Sequence, residues 1–232
     1  TNPKYLALSL KASPKFALAL AFIFMLISAG VAFLFVFLGK VYVADVYAGV
    51  AARNVGQNQE NAIMKMNKAI NLNNKESVYY TKAGAYYMML ANKEALKPEA
   101  ERNIDNIKQD INISVLAATK GVEMNKKSIE AVETLAQIYE NSGMYVADSL
   151  KLTEETYQKA LALDPHNPDF FLKLGQVKIA DGAMKKDEAE RKKLFGEAKD
   201  FFQKSIDEKN NFSQGYYQLA LIQDALGETD SA

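Results

Sequence analysis

Residues 16–39 read FALALAFIFMLISAGVAFLFVFLG, 24 positions without a charged side chain, bracketed by Lys15 and Lys40. As a helix rising about 1.5 Å per residue this run spans roughly 36 Å, enough to cross a hydrocarbon core of about 30 Å with some tilt. A cleaved signal peptide has an apolar core of only about 7–15 residues, so length favours a single transmembrane helix. Ser28, Ala29 and Gly30 form a small-residue patch of the kind that lets helices pack closely in lipid.

The charges around this segment are lopsided. Residues 1–40 carry Lys4, Lys11, Lys15 and Lys40 and no acidic residue, which makes 1–15 a basic juxtamembrane segment and leaves 24 basic against 28 acidic residues beyond it. Three lysines precede the apolar run, whereas Lys40 and Arg53 follow it. Because cytoplasmic flanks retain Lys and Arg, the bias places the start in the cytoplasm and the remainder outside it. The zero net charge of the whole chain argues against a nucleic-acid partner. The chain starts at Thr1 and stops at Ala232 inside a motif described below, which is expected of a piece of a longer protein.

Beyond residue 40 the apolar residues recur at spacings of three and four, the signature of helix throughout. Tyr157, Ala160 and Leu161 lead into Asp164-Pro165-His166-Asn167-Pro168, and Phe171, Leu174, Gly175 and Gly182 follow. An amphipathic helix therefore ends in a DPHNP turn and a second begins with an aromatic and a Leu-Gly pair. First helices of this type recur with Tyr80, Ala83, Gly84, Tyr87 and Ala91, with Val132, Leu135, Ala136, Tyr139 and Gly143, and with Tyr216, Leu219, Ala220 and Gly227. The second helices align as Ala62, Met66 and Ala69, then Ser114, Ala118 and Gly121, then Thr153, Tyr157 and Ala160, then Ala198, Phe202 and Ser205. Units start at Val43, Ser77, Ile129, Pro168 and Ser213, so the spacings are 34, 52, 39 and 45 residues, a 34-residue period with insertions of 18, 5 and 11. The insertions fall within units, near 92–109, 144–152 and 183–194. No proline interrupts 39–54, so the apolar helix is expected to run straight into the first helix of the array.

These motifs resemble the tetratricopeptide repeat (TPR), in which small residues let two antiparallel helices approach and successive pairs stack. The expected fold is all-α: a single transmembrane helix over 16–39 followed by an α-solenoid of TPR-like helix pairs over 43–232. The resemblance implies a concave surface lined by the first helices, with Thr81, Met88, Glu133, Gln137, Glu140, Gln176, Tyr217 and Asp224 pointing into it. That surface is acidic to neutral. It lacks the lysine set with which some TPR relatives grip acidic chain termini, so a protein or peptide partner of neutral to basic character fits better.

No cysteine is present, and the one histidine, His166, falls in the solvent-facing DPHNP turn, so no metal ligands, thiol nucleophile or cofactor are implied. Tyr80, Tyr87, Tyr139 and Tyr157 are expected in the core. Asp187, Glu188 and Glu190 with Arg191, Lys192 and Lys193 read as a solvated helix face. No phosphate loop, nucleophile elbow or zinc-protease helix occurs, so catalysis is not expected within these residues. The leading expectation is a membrane-anchored scaffold for protein assembly that contacts the bilayer through 16–39. The layout is also similar to bacterial O-antigen ligase or polymerase-like membrane proteins with a C-terminal TPR domain, a resemblance that implies an accessory role in glycan transfer. A self-associating coat or filament subunit, and hence a homo-oligomer, is the third expectation.

Overall fold

The structure is a computed structural model that describes residues 14–228; Lys4 and Lys11 of the basic segment, and residues 229–232, lie outside the described residues. The described residues form nine α-helices and no strand. α1 (Pro14–Asn54) is unbroken over 41 residues, about 61 Å of helix. It is long and apolar enough to cross a membrane, and its most apolar stretch is entirely unburied. The helix becomes part of the packed array only at its far end, where Ala44 and Ala51 are buried.

Eight further helices follow as α2 (Gln59–Leu72), α3 (Ser77–Ala95), α4 (Ile104–Met124), α5 (Ile129–Ser142), α6 (Ser149–Leu163), α7 (Pro168–Met184), α8 (Glu188–Glu208) and α9 (Ser213–Leu226). Side-chain caps start most of them. Asn58, Asn103 and Ser128 accept from backbone N–H groups three residues on, and Asn167 and Asp187 from those two residues on. Each cap satisfies a donor that the first helical turn leaves unpaired. Pro168 takes the first helical position of α7, where its missing N–H costs nothing. Short 3-10 turns, Glu99–Glu101 and Gly143–Tyr145, occupy two of the connections. The segment 92–109 thus holds the end of α3, a connection and the start of α4; 183–194 holds three connecting residues and the first turns of α8.

Each helix packs on its sequence neighbours, and α3 also meets α5 directly. This produces four small cores in a row rather than one. The first is shared by α1, α2 and α3, the second by α3, α4 and α5, the third by α5, α6 and α7, and the last by α7, α8 and α9. Stability in such a stack comes from nearest-neighbour interfaces. The aligned triplets of α2, α4, α6 and α8 are all buried, from Ala62, Met66 and Ala69 through to Ala198, Phe202 and Ser205. Backbone approach is tight where glycine allows it: a Cβ on Gly84 would lie 2.9 Å from both Ala118 Cβ and Ser114 O. Ser114 Oγ donates back to Gly84 O at 2.7 Å, tying α4 to α3 at the same point.

The aromatic register differs from the sequence expectation. Tyr157 is buried as expected, but Tyr80, Tyr87 and Tyr139 are only half-buried, whereas Tyr79 and Tyr86 are in the core. Phe170 is likewise buried while its neighbour Phe171 is half-buried. The third and tenth positions of each first helix are buried in every later unit, as Tyr79 and Tyr86, Ala131 and Ile138, Phe170 and Val177, and Gly215 and Ile222. These positions are seven residues apart, two helical turns, and so share one face. α3, α5 and α7 are each gripped on two sides, by their own partners and by the preceding unit.

Candidate protein-binding surface

A solenoid binds through the face on which its first helices line up, and on α5, α7 and α9 that face is polar and open. Glu133, Gln137 and Glu140 lie on successive turns of one side of α5, as the three-and-four spacing requires. Gln137 Nε2 donates to Glu133 Oε1 at 3.1 Å. Glu140 is held twice: Lys173 Nζ of α7 reaches its two oxygens at 2.9 and 3.1 Å, and the Tyr157 hydroxyl of α6 donates to Oε2 at 2.8 Å. Glu140 is therefore a joint between units before it is a ligand contact. Next to it, partial burial pushes the Glu133 carboxyl above its ordinary range, Asp169 adds to that shift, and the Lys173 ammonium opposes it.

Between α7 and α9 the surface deepens into a groove of about 440 Å³, lined by Asp169, Leu172, Lys173, Gln176, Gln214, Tyr217 and Gln218. Gln176 and Tyr217 are thus brought together, and Lys173 connects them to Glu140 on α5. The lining offers amide donors and acceptors, one phenol, one apolar floor residue, the Asp169 carboxylate and the Lys173 ammonium. Such a set matches the alternating N–H and C=O groups of an extended peptide. Asp224 is exposed on the same helix as Tyr217, seven residues further on, beyond the groove.

Thr81 and Met88 do not belong to this surface. They are 4% and 5% exposed, and both lie inside the α3 packing. Thr81 Oγ1 donates to Ser77 O, and Gly121 of α4 closes directly over it; Met88 packs in the core that α3, α4 and α5 share. α4 therefore covers Thr81, and α4 and α5 together cover Met88. Five of the eight expected residues, Glu133, Gln137, Glu140, Gln176 and Tyr217, remain as one stripe, with Lys173 and Asp169 as members that sequence reasoning missed. Lys173 pairs with a residue 33 positions earlier, across a unit boundary whose register no local pattern reveals.

His166 and Lys178 have structural partners. His166 is 84% exposed in its turn, with Nδ1 3.0 Å from Glu208. Lys178 lies between Glu154 at 2.8 Å and Glu197 at 3.1 Å. Burial alone would lower this ammonium, but the hydrogen bonds to the two carboxylates outweigh it and the net shift is upward.

No known family profile matches the sequence, and no curated protein matches it. Solved structures do match the fold. A MamA protein crystal structure aligns at 19% identity with a TM-score of 0.58, covering 81% of this chain and 85% of that one. PilF of Pseudomonas aeruginosa aligns at 13% identity and a TM-score of 0.59, covering 82% and 72%. A thermophilic TPR protein of Thermus thermophilus aligns at 12% and 0.58, covering 77% and 80%. At these identities the likeness concerns the fold, which is an α-solenoid of TPR-like helix pairs.

Proposed function

We propose that this TPR-like solenoid is a membrane-anchored scaffold that holds an extended protein segment of neutral to basic character along the α5, α7 and α9 stripe. The observation that carries the reading is α1. One helix bears an apolar run with no packing partner among the described residues, and its last turns are core residues of the solenoid. An exposed apolar surface of that extent is stable in lipid and costly in water. The rigid junction fixes the array to the bilayer, with the weak lysine bias putting it outside the cytoplasm.

The groove supplies the binding half of the reading. The ion pair of Lys173 with Glu140, beside the groove, is internally balanced, so the unneutralised charge on the stripe is that of Asp169 and Glu133. This favours a partner with a basic group over one with an acidic tail. Binding of an array of fluorescent neutral and basic extended peptides to the full chain in nanodiscs tests it. Gln137→Lys and Tyr217→Lys are expected to weaken the retained peptides about tenfold, the equivalent of one lost or repelled charged contact. Gln158→Lys, on the outer helix α6, is expected to have no effect. Equal affinity in all variants contradicts the assignment, and extraction of the chain from membranes by alkaline carbonate contradicts the anchor.

A further inference from the structure

The topology of the array fixes which of its edges faces the point where α1 enters. First helices run one way and second helices the other, so the starts of α3, α5, α7 and α9 and the ends of α2, α4, α6 and α8 share one edge. The links between units, 73–76, 125–128, 164–167 and 209–212, all lie there. The connections within units, 55–58, 96–103, 143–148 and 185–187, lie on the opposite edge. The first unit begins in α1 immediately beyond the apolar run, so the inter-unit edge is the one nearest to Lys40.

A specific contact sets the height. The Tyr79 hydroxyl of α3 donates to the Asp45 carboxylate of α1, and the same small groove is lined by Ala48, Gly49 and Ala52 opposite Val78 and Lys82. Tyr79 and Asp45 are therefore level on two helices that run in the same direction. Lys75 precedes Tyr79 by four residues, in the turn before α3 begins, and Lys40 precedes Asp45 by five on α1, so both lie on the same side of that contact. Lys40 is the charge that ends the apolar segment, so the 73–76 turn lies on the side of the array toward that end. α5 packs directly beside α3, and its preceding turn carries Lys126 and Lys127 in the corresponding place.

Lys40, Lys75, Lys126 and Lys127 are all exposed, and none forms an ion pair among the described residues. The carboxylates near them are largely engaged elsewhere. Glu76 caps α3 through Val78 N, Asp45 accepts from Tyr79, and Glu123 pairs with Lys120 at 3.6 Å; Glu130 lies in the first turn of α5. Tyr42 projects 70% exposed between Lys40 and the packed part of α1, a position suited to the headgroup layer.

We propose that this edge is a lipid-contact surface: Lys75, Lys126 and Lys127, continuing from Lys40, engage anionic headgroups and hold the solenoid upright on the bilayer. The proposal rests on the reading of α1 as a spanning helix. Lysines this close to a leaflet are attracted to anionic lipid within a Debye length of about 8 Å. The consequence is an orientation in which the concave stripe opens sideways along the membrane and the connections at 96–103, 143–148 and 185–187 point away from it.

The chain has no cysteine, so single labels report single positions. Asn125→Cys and Glu99→Cys of the full chain, each carrying a bimane, are reconstituted in phosphatidylcholine vesicles with or without phosphatidylglycerol and quenched by headgroup-nitroxide lipid. Phe24→Cys, quenched by acyl-chain nitroxide, reports the span. Expected are quenching at Asn125→Cys about threefold above that at Glu99→Cys in the anionic vesicles, and its fall to the Glu99→Cys level when Lys75→Glu, Lys126→Glu and Lys127→Glu are combined. Quenching at position 24 with equal quenching at 125 and 99, or indifference to the charge reversals and to phosphatidylglycerol, overturns the lipid-contact edge alone. Absence of quenching at position 24 removes the spanning helix and the edge with it.

Discussion

Replacing Gly84 by alanine tests the packing on which the whole array depends. In an isolated helix this change is favourable by about 1 kcal/mol, because glycine is the more flexible residue in the unfolded chain. Here the added methyl meets Ala118 Cβ and Ser114 O at 2.9 Å and Ala118 N at 3.0 Å, and two of those atoms are backbone that no rotamer change can move. Separating α3 from α4 costs about 1–3 kcal/mol as overpacking and also stretches the buried Ser114 hydrogen bond to Gly84 O, worth about 1 kcal/mol. The net expectation is a loss of about 1–3 kcal/mol. For a chain of this size that lowers the midpoint of thermal unfolding by about 2–12 °C. Gly196 in α8 is the control, since a Cβ there meets nothing within 4 Å. Gly196→Ala is expected to raise the midpoint by about 2–4 °C through propensity alone. Circular dichroism of the full chain in detergent micelles measures both, and a Gly84→Ala variant as stable as Gly196→Ala would refute the close approach of α3 and α4.

Three further outcomes follow from named contacts. Phe202→Ala empties the site of a fully buried ring against Gly175 and is expected to cost about 3–5 kcal/mol, with limited proteolysis cutting within α7 to α9 first. Tyr157→Phe removes the hydroxyl that donates to Glu140 and is expected to cost about 1–2 kcal/mol in urea unfolding, while Lys173 still holds the carboxylate. Glu133→Gln is expected to raise the thermal midpoint at pH 7 by about 1–2 °C. The Glu133 carboxyl is raised in the folded state above its ordinary 4.5, so its favourable contribution is complete below that value and lost as pH rises through the folded one. The gap between wild type and variant is therefore expected to close in unfolding scans below about pH 4.

Much of this architecture is legible in the sequence because its signals are local. An uncharged run of 24 residues declares itself, and the small residues of the second helices, Ala62 to Ser205, recur at one spacing and are buried in every unit. What was not legible depends on how units meet. Paired aromatics at 79–80, 86–87 and 170–171 leave the inward member ambiguous by one residue, and only the preceding unit selects Tyr79, Tyr86 and Phe170. Thr81 turns toward Gly121 of its own partner α4, and Met88 packs in a core that α5 of the next unit completes. Lys173 became part of the candidate surface for the same reason, through a pairing across units.

Photo-crosslinking in native membranes distinguishes a partner held on the inner stripe, as proposed, from one bound elsewhere. A benzoylphenylalanine at Gln137 or Gln176, within the stripe, is compared with one at Gln158, which is exposed on α6. One discrete adduct is expected from both inner positions, lost when Tyr217→Lys is added, and none from Gln158. Adducts of equal yield from the two faces, or inner-face adducts that survive Tyr217→Lys, would contradict it.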